Sequence, residues 1–230
     1  MVSSSPFPQS PRSRCDRPQV IFLDAVGTIF GVRGSVGQHY QAVARQFGVE
    51  APSAQLNQAF FDQFKAAPPM AFPGSDPTTL LQQEYVWWET IAEKTFTQVG
   101  VIEQFEDFAA FFKALYDYFA TATPWFIYPD VLPALKQWRS QGIELGIISN
   151  FDSRLYPVLD VLKLSQFFSS VTISTEVGAA KPNSQVFRAG LEKHRVQADR
   201  AWHIGDSERE DYAGAKAAGL QAIWIRRPVG

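Results

Sequence analysis

The chain has 230 residues, 46% hydrophobic and 19% charged, and 21 Lys and Arg against 23 Asp and Glu leave a net charge of −2. The length suits one domain, or one domain with an insert, and the composition excludes collagen-like and wholly disordered chains. The balanced charge lacks the basic footprint of a nucleic-acid binder, so no nucleic-acid partner is expected. The sole cysteine, Cys15, excludes an intramolecular disulfide, a cysteine-based zinc site and a C-x-x-C redox motif. It fits a reducing, cytoplasmic setting. No apolar run reaches the length of a membrane span. A monomer or weak dimer is the expected state.

Residues 1–18 (MVSSSPFPQSPRSRCDRP) are rich in Ser, Pro and Arg and lack a signal-peptide apolar region. They read as a disordered tail outside the fold. Gln19-Val20-Ile21-Phe22-Leu23 is a short apolar run that reads as a buried strand. It ends in the turn Asp24-Ala25-Val26-Gly27-Thr28. From 33 to 121 the pattern is helical. Tyr40, Val43, Ala44 and Phe47 share a face, and Gly48 stops that helix. Ser53 is placed to cap a second helix carrying Leu56, Ala59, Phe60 and Phe64, which Pro68-Pro69 ends. A loop spans 70–77, and helices follow at 78–97 and 105–120.

After Pro124 strands and helices alternate. Helix 130–141 precedes strand 143–148, helix 153–164, strand 171–174 and helix 183–194. Strand 201–204, helix 208–218 and strand 222–225 complete the series. Such alternation builds βαβ units and a parallel sheet. The expected fold is α/β, a parallel sheet with a helical insert after the first strand that sits over its rim as a cap. The core takes residues 19–32 and 122–230, and the cap takes 33–121.

Polar residues gather just after the strands, where open α/β sheets bind ligands. Asp24 is open to three readings: nucleophile, metal ligand or turn cap. Asp206, in His203-Ile204-Gly205-Asp206-Ser207, is a second strand-end carboxylate. Two such carboxylates suit a hard cation with oxygen ligands, such as Mg²⁺. Asp211 either supports that pair or stabilises a helix N-terminus. Lys181 can neutralise a carboxylate or a phosphate, or sit solvated on its loop. Thr28, Ser149 and Asn150 offer hydroxyls and an amide to an anion. His203 reads as a satisfied core histidine, and His194 has no metal-ligand spacing with it. Of Trp87 and Trp88, one is expected to pack among the helices and the other to cover a surface. Arg33 reads as a solvated residue at the first hinge.

The ordered set Asp24-x-x-x-Thr28, Ser149-Asn150, Lys181-Pro182 and Gly205-Asp206-Ser207-x-x-x-Asp211 resembles the haloacid dehalogenase-like hydrolase superfamily over residues 19–228. The resemblance implies a doubly wound sheet with a helical cap inserted after the first strand. It implies a small phosphorylated substrate and an aspartyl-phosphate formed on Asp24. The matching Mg²⁺ ligands are Asp24, the Val26 carbonyl and Asp206, with Asp211 in support. Thr28, Ser149, Asn150 and Lys181 match the residues that hold the phosphoryl group. Lys181 also holds Asp24.

One position departs from the pattern. The usual phosphatase has a second Asp two residues after the nucleophile, as general acid and base. Here that residue is Val26, which cannot move a proton. Asp152 and His39 are the candidate replacements. Two further readings follow from Val26. A non-catalytic or weakly catalytic member of the fold would bind a phosphorylated ligand or a protein. A 2-haloacid dehalogenase needs no leaving-group proton, but such enzymes are metal-free and carry a non-acidic residue where Asp206 stands. A phosphonatase would need a cap lysine, for which Lys65 and Lys94 are available.

Overall fold

The computed structural model describes residues 17–227. The tail expected over 1–18 falls mostly outside the described residues. Of its last two positions, Arg17 is half-buried and Pro18 is buried.

Strand β1 (Val20–Leu23) is buried along its whole length and forms the centre of a parallel five-stranded sheet. Its neighbours are β4 (Glu144–Ser149) and β6 (Ala201–Gly205), flanked by β5 (Ser170–Ile173) and β7 (Gln221–Trp224). The strand order is β5-β4-β1-β6-β7. Alternation along β1 sends side chains to opposite faces. Ile21 and Leu23 pack with Leu135, Trp138, Leu155 and Val158, which lie on α5 (Val131–Ser140) and α6 (Leu155–Val161). Val20 and Phe22 pack with Val186, Phe187 and Leu191 of α8 (Ser184–His194), and with Ala215 of the short α9 (Gly214–Ala217). Helices therefore cover both faces, which is why the central strands are near-continuous apolar runs.

Four helices intervene between β2 (Phe30–Val32) and β3 (Trp125–Ile127): α1 (Val36–Gln46), α2 (Ser53–Ala66), α3 (Pro77–Val99) and α4 (Phe108–Tyr118). They enclose their own core, with Tyr40, Leu56, Ile91, Phe96, Phe111 and Leu115 at its centre. Ser35 and Gln38 form a reciprocal capping box on α1. Asp76 caps α3 just ahead of Pro77. α2 starts differently from expectation. Pro52 occupies the cap position without a side-chain hydrogen bond, and Ser53 is already helical.

Two features were not legible in the sequence. β2 and β3 pair as an antiparallel ribbon, Phe30 opposite Ile127 and Val32 opposite Trp125. Three-residue strands so far apart in the chain leave no local periodicity. The segment expected as helix 208–218 is helical over 208–217, but its first stretch, Glu208–Ala213, is wound as a π-helix before it runs into α9. Helix 153–164 contracts to Leu155–Val161, and the last helix of the intervening group starts at Phe108 rather than 105, capped by Asp107.

Candidate active site

Asp24, Ser149 and Asp206 stand at the carboxyl ends of adjacent strands β1, β4 and β6, and Lys181 arrives on the loop beyond β5. Asp24 is almost fully buried. Its Oδ1 accepts from Lys181 Nζ at 2.6 Å and from Ser149 Oγ at 2.9 Å. Lys181 Nζ also donates to Asp211 Oδ1 at 2.5 Å. The other Asp24 oxygen, Oδ2, takes no protein donor among the described residues.

Asp211 comes from the π-helical stretch and is itself buried. Its Oδ1 accepts from His203 Nε2 at 2.8 Å, and its Oδ2 from the Ser207 backbone N–H at 3.0 Å. An ionised carboxylate only accepts, so Nε2 carries the His203 proton. Nδ1 is buried without a partner among the described residues. His203 is therefore a core histidine satisfied on one side only.

Glycines set the spacing. Gly27 has φ +87°, and a Cβ there would lie 2.4 Å from Asp206 Oδ2. A Cβ on Gly205 would lie 2.1 Å from the Asp211 carboxyl carbon. A side chain at either position would drive a carboxylate out of the site. Thr28 Oγ1 donates to Asp206 Oδ1 at 3.2 Å. One oxygen from each of Asp24, Asp206 and Asp211 falls within 4.8 Å of the others.

Of three close carboxylates, Asp24 and Asp211 share the Lys181 ammonium and Asp206 does not touch it, and their acidities separate accordingly. Burial raises the Asp24 carboxyl, and the charge of Asp211 raises it further against the pull of Lys181. Burial would also raise Asp211, but Lys181 and His203 more than offset it and hold it well below the usual carboxylate range. Burial works against the Lys181 ammonium, yet Asp24 and Asp211 keep it charged with its pKa raised. Asp206 meets solvent at the mouth of the site. The protein packed round the rest of it, with the charges of Asp24 and Asp211, pushes its carboxyl up to about 6. These oxygen donors are the chemistry a hard divalent cation requires.

Asn150 is turned to the Lys181 loop. Its Oδ1 accepts from the Lys181 N–H at 2.7 Å, and its Nδ2 donates to the Lys181 carbonyl at 3.1 Å and to Glu210 Oε2 at 3.2 Å. Glu210 was not singled out in the sequence. Burial raises its carboxyl, partly offset by Lys181, and Asp211 and Asp24 raise it further. Its place next to Asp211 in the motif was the available signal.

The candidate replacement acids are committed elsewhere. Asp152 is fully buried and accepts from Arg154 Nε and Nη2 at 2.8 Å each, from the Arg154 N–H at 2.9 Å and from Trp88 Nε1 at 2.7 Å. Burial opposes its charge, but Arg154 prevails and lowers its pKa. It holds no proton to give at neutral pH. His39 bonds the Arg33 carbonyl through Nε2 at 2.8 Å and the Tyr118 hydroxyl through Nδ1 at 2.9 Å. Arg33 is exposed, as expected, and its N–H reaches the Pro124 carbonyl at 2.8 Å. Lys65 and Lys94 are both exposed.

Trp88 packs against the helical core, as one of the pair was expected to, and in addition reaches out of the helical group to Asp152. Arg154 stacks between the Trp88 and Tyr116 rings, 5.1 and 3.8 Å from their centroids. Glu84 of the same helix is buried and accepts from the Ser153 N–H at 3.1 Å, Ser153 Oγ at 3.0 Å and Thr175 Oγ1 at 2.5 Å. These bonds fix α3 against the loop that follows β4 and the short helix α7 (Ser174–Val177) that follows β5.

Fold and motif order together define a hydrolase of the haloacid dehalogenase-like class. The chain belongs to that family, whose model matches residues 18–219. It is 31% identical over 210 residues to haloacid dehalogenase-like hydrolase domain-containing protein 3 of Bos taurus, covering 91% of this chain and 82% of that protein. It is 37% identical over 101 residues to the glyceraldehyde 3-phosphate phosphatase of Methanopyrus kandleri, covering 44% of this chain and 43% of that one. Among solved structures, the L-2-haloacid dehalogenase of Xanthobacter autotrophicus superposes with a TM-score of 0.65 at 18% identity, covering 89% and 76% of the two chains. No helix among the described residues is long and apolar enough to cross a membrane.

Proposed function

We propose that this protein is a Mg²⁺-dependent phosphatase-like hydrolase of small phosphorylated metabolites, with Asp24 as nucleophile. The observation that carries this reading is Asp206, a strand-end carboxylate whose oxygen lies with those of Asp24 and Asp211 beside a buried lysine. Asp24, Asp206 and the Val26 carbonyl would hold the cation, with Asp211 in support. Bound there, Mg²⁺ offsets the charge of an incoming phosphate. Residues 33–121 act as the cap over the core formed by 19–32 and 122–230.

The hydrogen bonds support a choice between the two Asp24 oxygens as the attacking atom. Oδ1 of Asp24 is occupied by Lys181 and Ser149. Oδ2 therefore attacks phosphorus, forming the aspartyl-phosphate as the bond to the leaving oxygen breaks. Water then attacks the same phosphorus, releasing inorganic phosphate and regenerating the carboxylate. Lys181 and Ser149 orient the nucleophile throughout, and Thr28 offers its hydroxyl at the opposite rim. Asn150 serves by clasping both backbone groups of Lys181. Val26 supplies no proton, so leaving groups that depart unaided are favoured.

Val26 also motivates a second reading, carbon–halogen cleavage, which needs no leaving-group proton. A panel of phosphomonoesters and 2-haloacids, with and without Mg²⁺, separates the two. Phosphate release that requires Mg²⁺ and is lost in Asp24→Asn is the expected result. Halide release without metal, and no phosphate release, would overturn it.

A further inference from the structure

We propose that Trp224 and Arg227, at the end of β7 and just beyond it, are positioning residues for the site. They hold its two metal- and phosphate-facing loops from behind. This rests on the phosphatase reading for its function, but its geometry is independent of that reading. Trp224 Nε1 donates to the Asp206 carbonyl at 2.9 Å. Three residues on, Arg227 Nη2 donates to the Thr28 carbonyl at 2.5 Å. One short segment thus grips the backbone of the two residues whose side chains meet across the site, Thr28 Oγ1 on Asp206 Oδ1.

The Arg227 fork is itself fixed. Nη1 pairs with Asp130 Oδ1 at 2.7 Å, and the guanidinium lies 4.1 Å from the centroid of the Tyr128 ring. The pair is largely buried, with side chains 9% and 15% exposed. A planar guanidinium can serve a carboxylate and a carbonyl at once, whereas an ammonium is a single point charge. The need for such a grip follows from the site's charge. Asp24, Asp206 and Asp211 crowd together while only Asp24 and Asp211 contact the Lys181 ammonium, so like-charge repulsion acts to part the Asp206 loop from the Asp24–Thr28 turn. Among described side chains a single bond to Asp206 opposes that, the one donated by the Thr28 hydroxyl at 3.2 Å. The Trp224 and Arg227 bonds act on the backbone, outside the reacting space. Partners of this kind behind a metal site typically set affinity or activity by about 10–100-fold.

The test is residue-resolved amide hydrogen exchange on the full metal-free chain, for the parent, Arg227→Ala and Trp224→Phe. The Thr28 and Ile29 amides, both bonded to the Ala25 carbonyl, report the first loop, and Ser207 reports the second. Arg227→Ala is expected to speed exchange at Thr28 and Ile29 about tenfold or more while the β4 amides stay unchanged. Millimolar guanidinium ion should restore the protection. Trp224→Phe keeps a ring and removes the N–H, and should speed exchange at Ser207 alone. If Arg227→Ala does not fold, Trp224→Phe decides the matter. Unchanged exchange at the reporter amides, or equal acceleration across the sheet, would overturn the proposal. Mg²⁺ titration of the same proteins should show about tenfold weaker binding in the variants. A parent that binds no Mg²⁺ would count against the phosphatase reading, while the exchange result would still decide the grip.

Discussion

Replacing Lys181 by Met tests the electrostatic arrangement directly. The ammonium lies 2.6 Å from Asp24 Oδ1 and 2.5 Å from Asp211 Oδ1, and all three side chains are largely buried. At an effective dielectric of about 20, each contact is worth roughly 6 kcal/mol before desolvation. Desolvation cancels several kcal/mol, and breaking a buried pair by removing one partner typically costs about 3–5 kcal/mol. For a chain of this size that lowers the melting temperature by roughly 6–20 °C. The sign with pH also follows. Without Lys181, burial and mutual repulsion place Asp24 and Asp211 above their unfolded carboxyl values. Groups raised in this way favour the folded state at low pH and lose that advantage as pH rises through the folded pKa. In the parent, Asp211 is held low and contributes the opposite slope, stabilising above the unfolded value of 3.8 and losing this as pH falls. The gap between parent and variant should therefore be widest near pH 7 and narrow toward pH 5. Calorimetric melts across that range measure it. Equal melting temperatures at neutral pH, or a gap that widens on acidification, would refute the reasoning.

Asp206, with its carboxyl near 6, must lose its proton to bind a cation, so Mg²⁺ affinity measured by titration should fall roughly tenfold per pH unit below that value. Val26→Asp should raise alkyl phosphate turnover by about 10²-fold and p-nitrophenyl phosphate turnover far less, because only the alkoxide needs a proton. Asp152→Asn leaves the buried Arg154 guanidinium uncompensated and should cost about 3–5 kcal/mol in denaturant melts. It should leave the ratio of alkyl to aryl phosphate turnover unchanged, since that carboxyl has no proton to donate.

The sheet and three residues of the candidate site were legible because β1, β4 and β6 are largely apolar runs that end at Asp24, Ser149 and Asp206. Asp24, Ser149 and Asp206 needed only the rule that ligands meet the carboxyl ends of parallel strands. The ribbon β2–β3 was not legible, because its pairing depends on the packing of everything between. Asn150 and Asp152 show a second kind of limit. Residue type announced an amide and a carboxylate near the site, but not which neighbours would consume their hydrogen bonds. Trp88 was hidden for the same reason: its indole N–H has a partner 64 positions away. Gly27 was read as part of a turn, and only the proximity of Asp206 shows why no other residue fits there.

The joint between α3 and the Asp152–Arg154 loop has a consequence for recombination. Glu84 and Trp88 are shaped to partners outside the helical segment: Ser153, Thr175 and Asp152. Grafting residues 33–121 of a relative onto this sheet would strand Arg154 beside a foreign surface and leave Asp152 without its indole donor. The smallest piece that can be exchanged intact is therefore discontinuous. It comprises the helices together with 152–154 and Thr175, and chimeras cut at the two linkers alone should be the unstable ones.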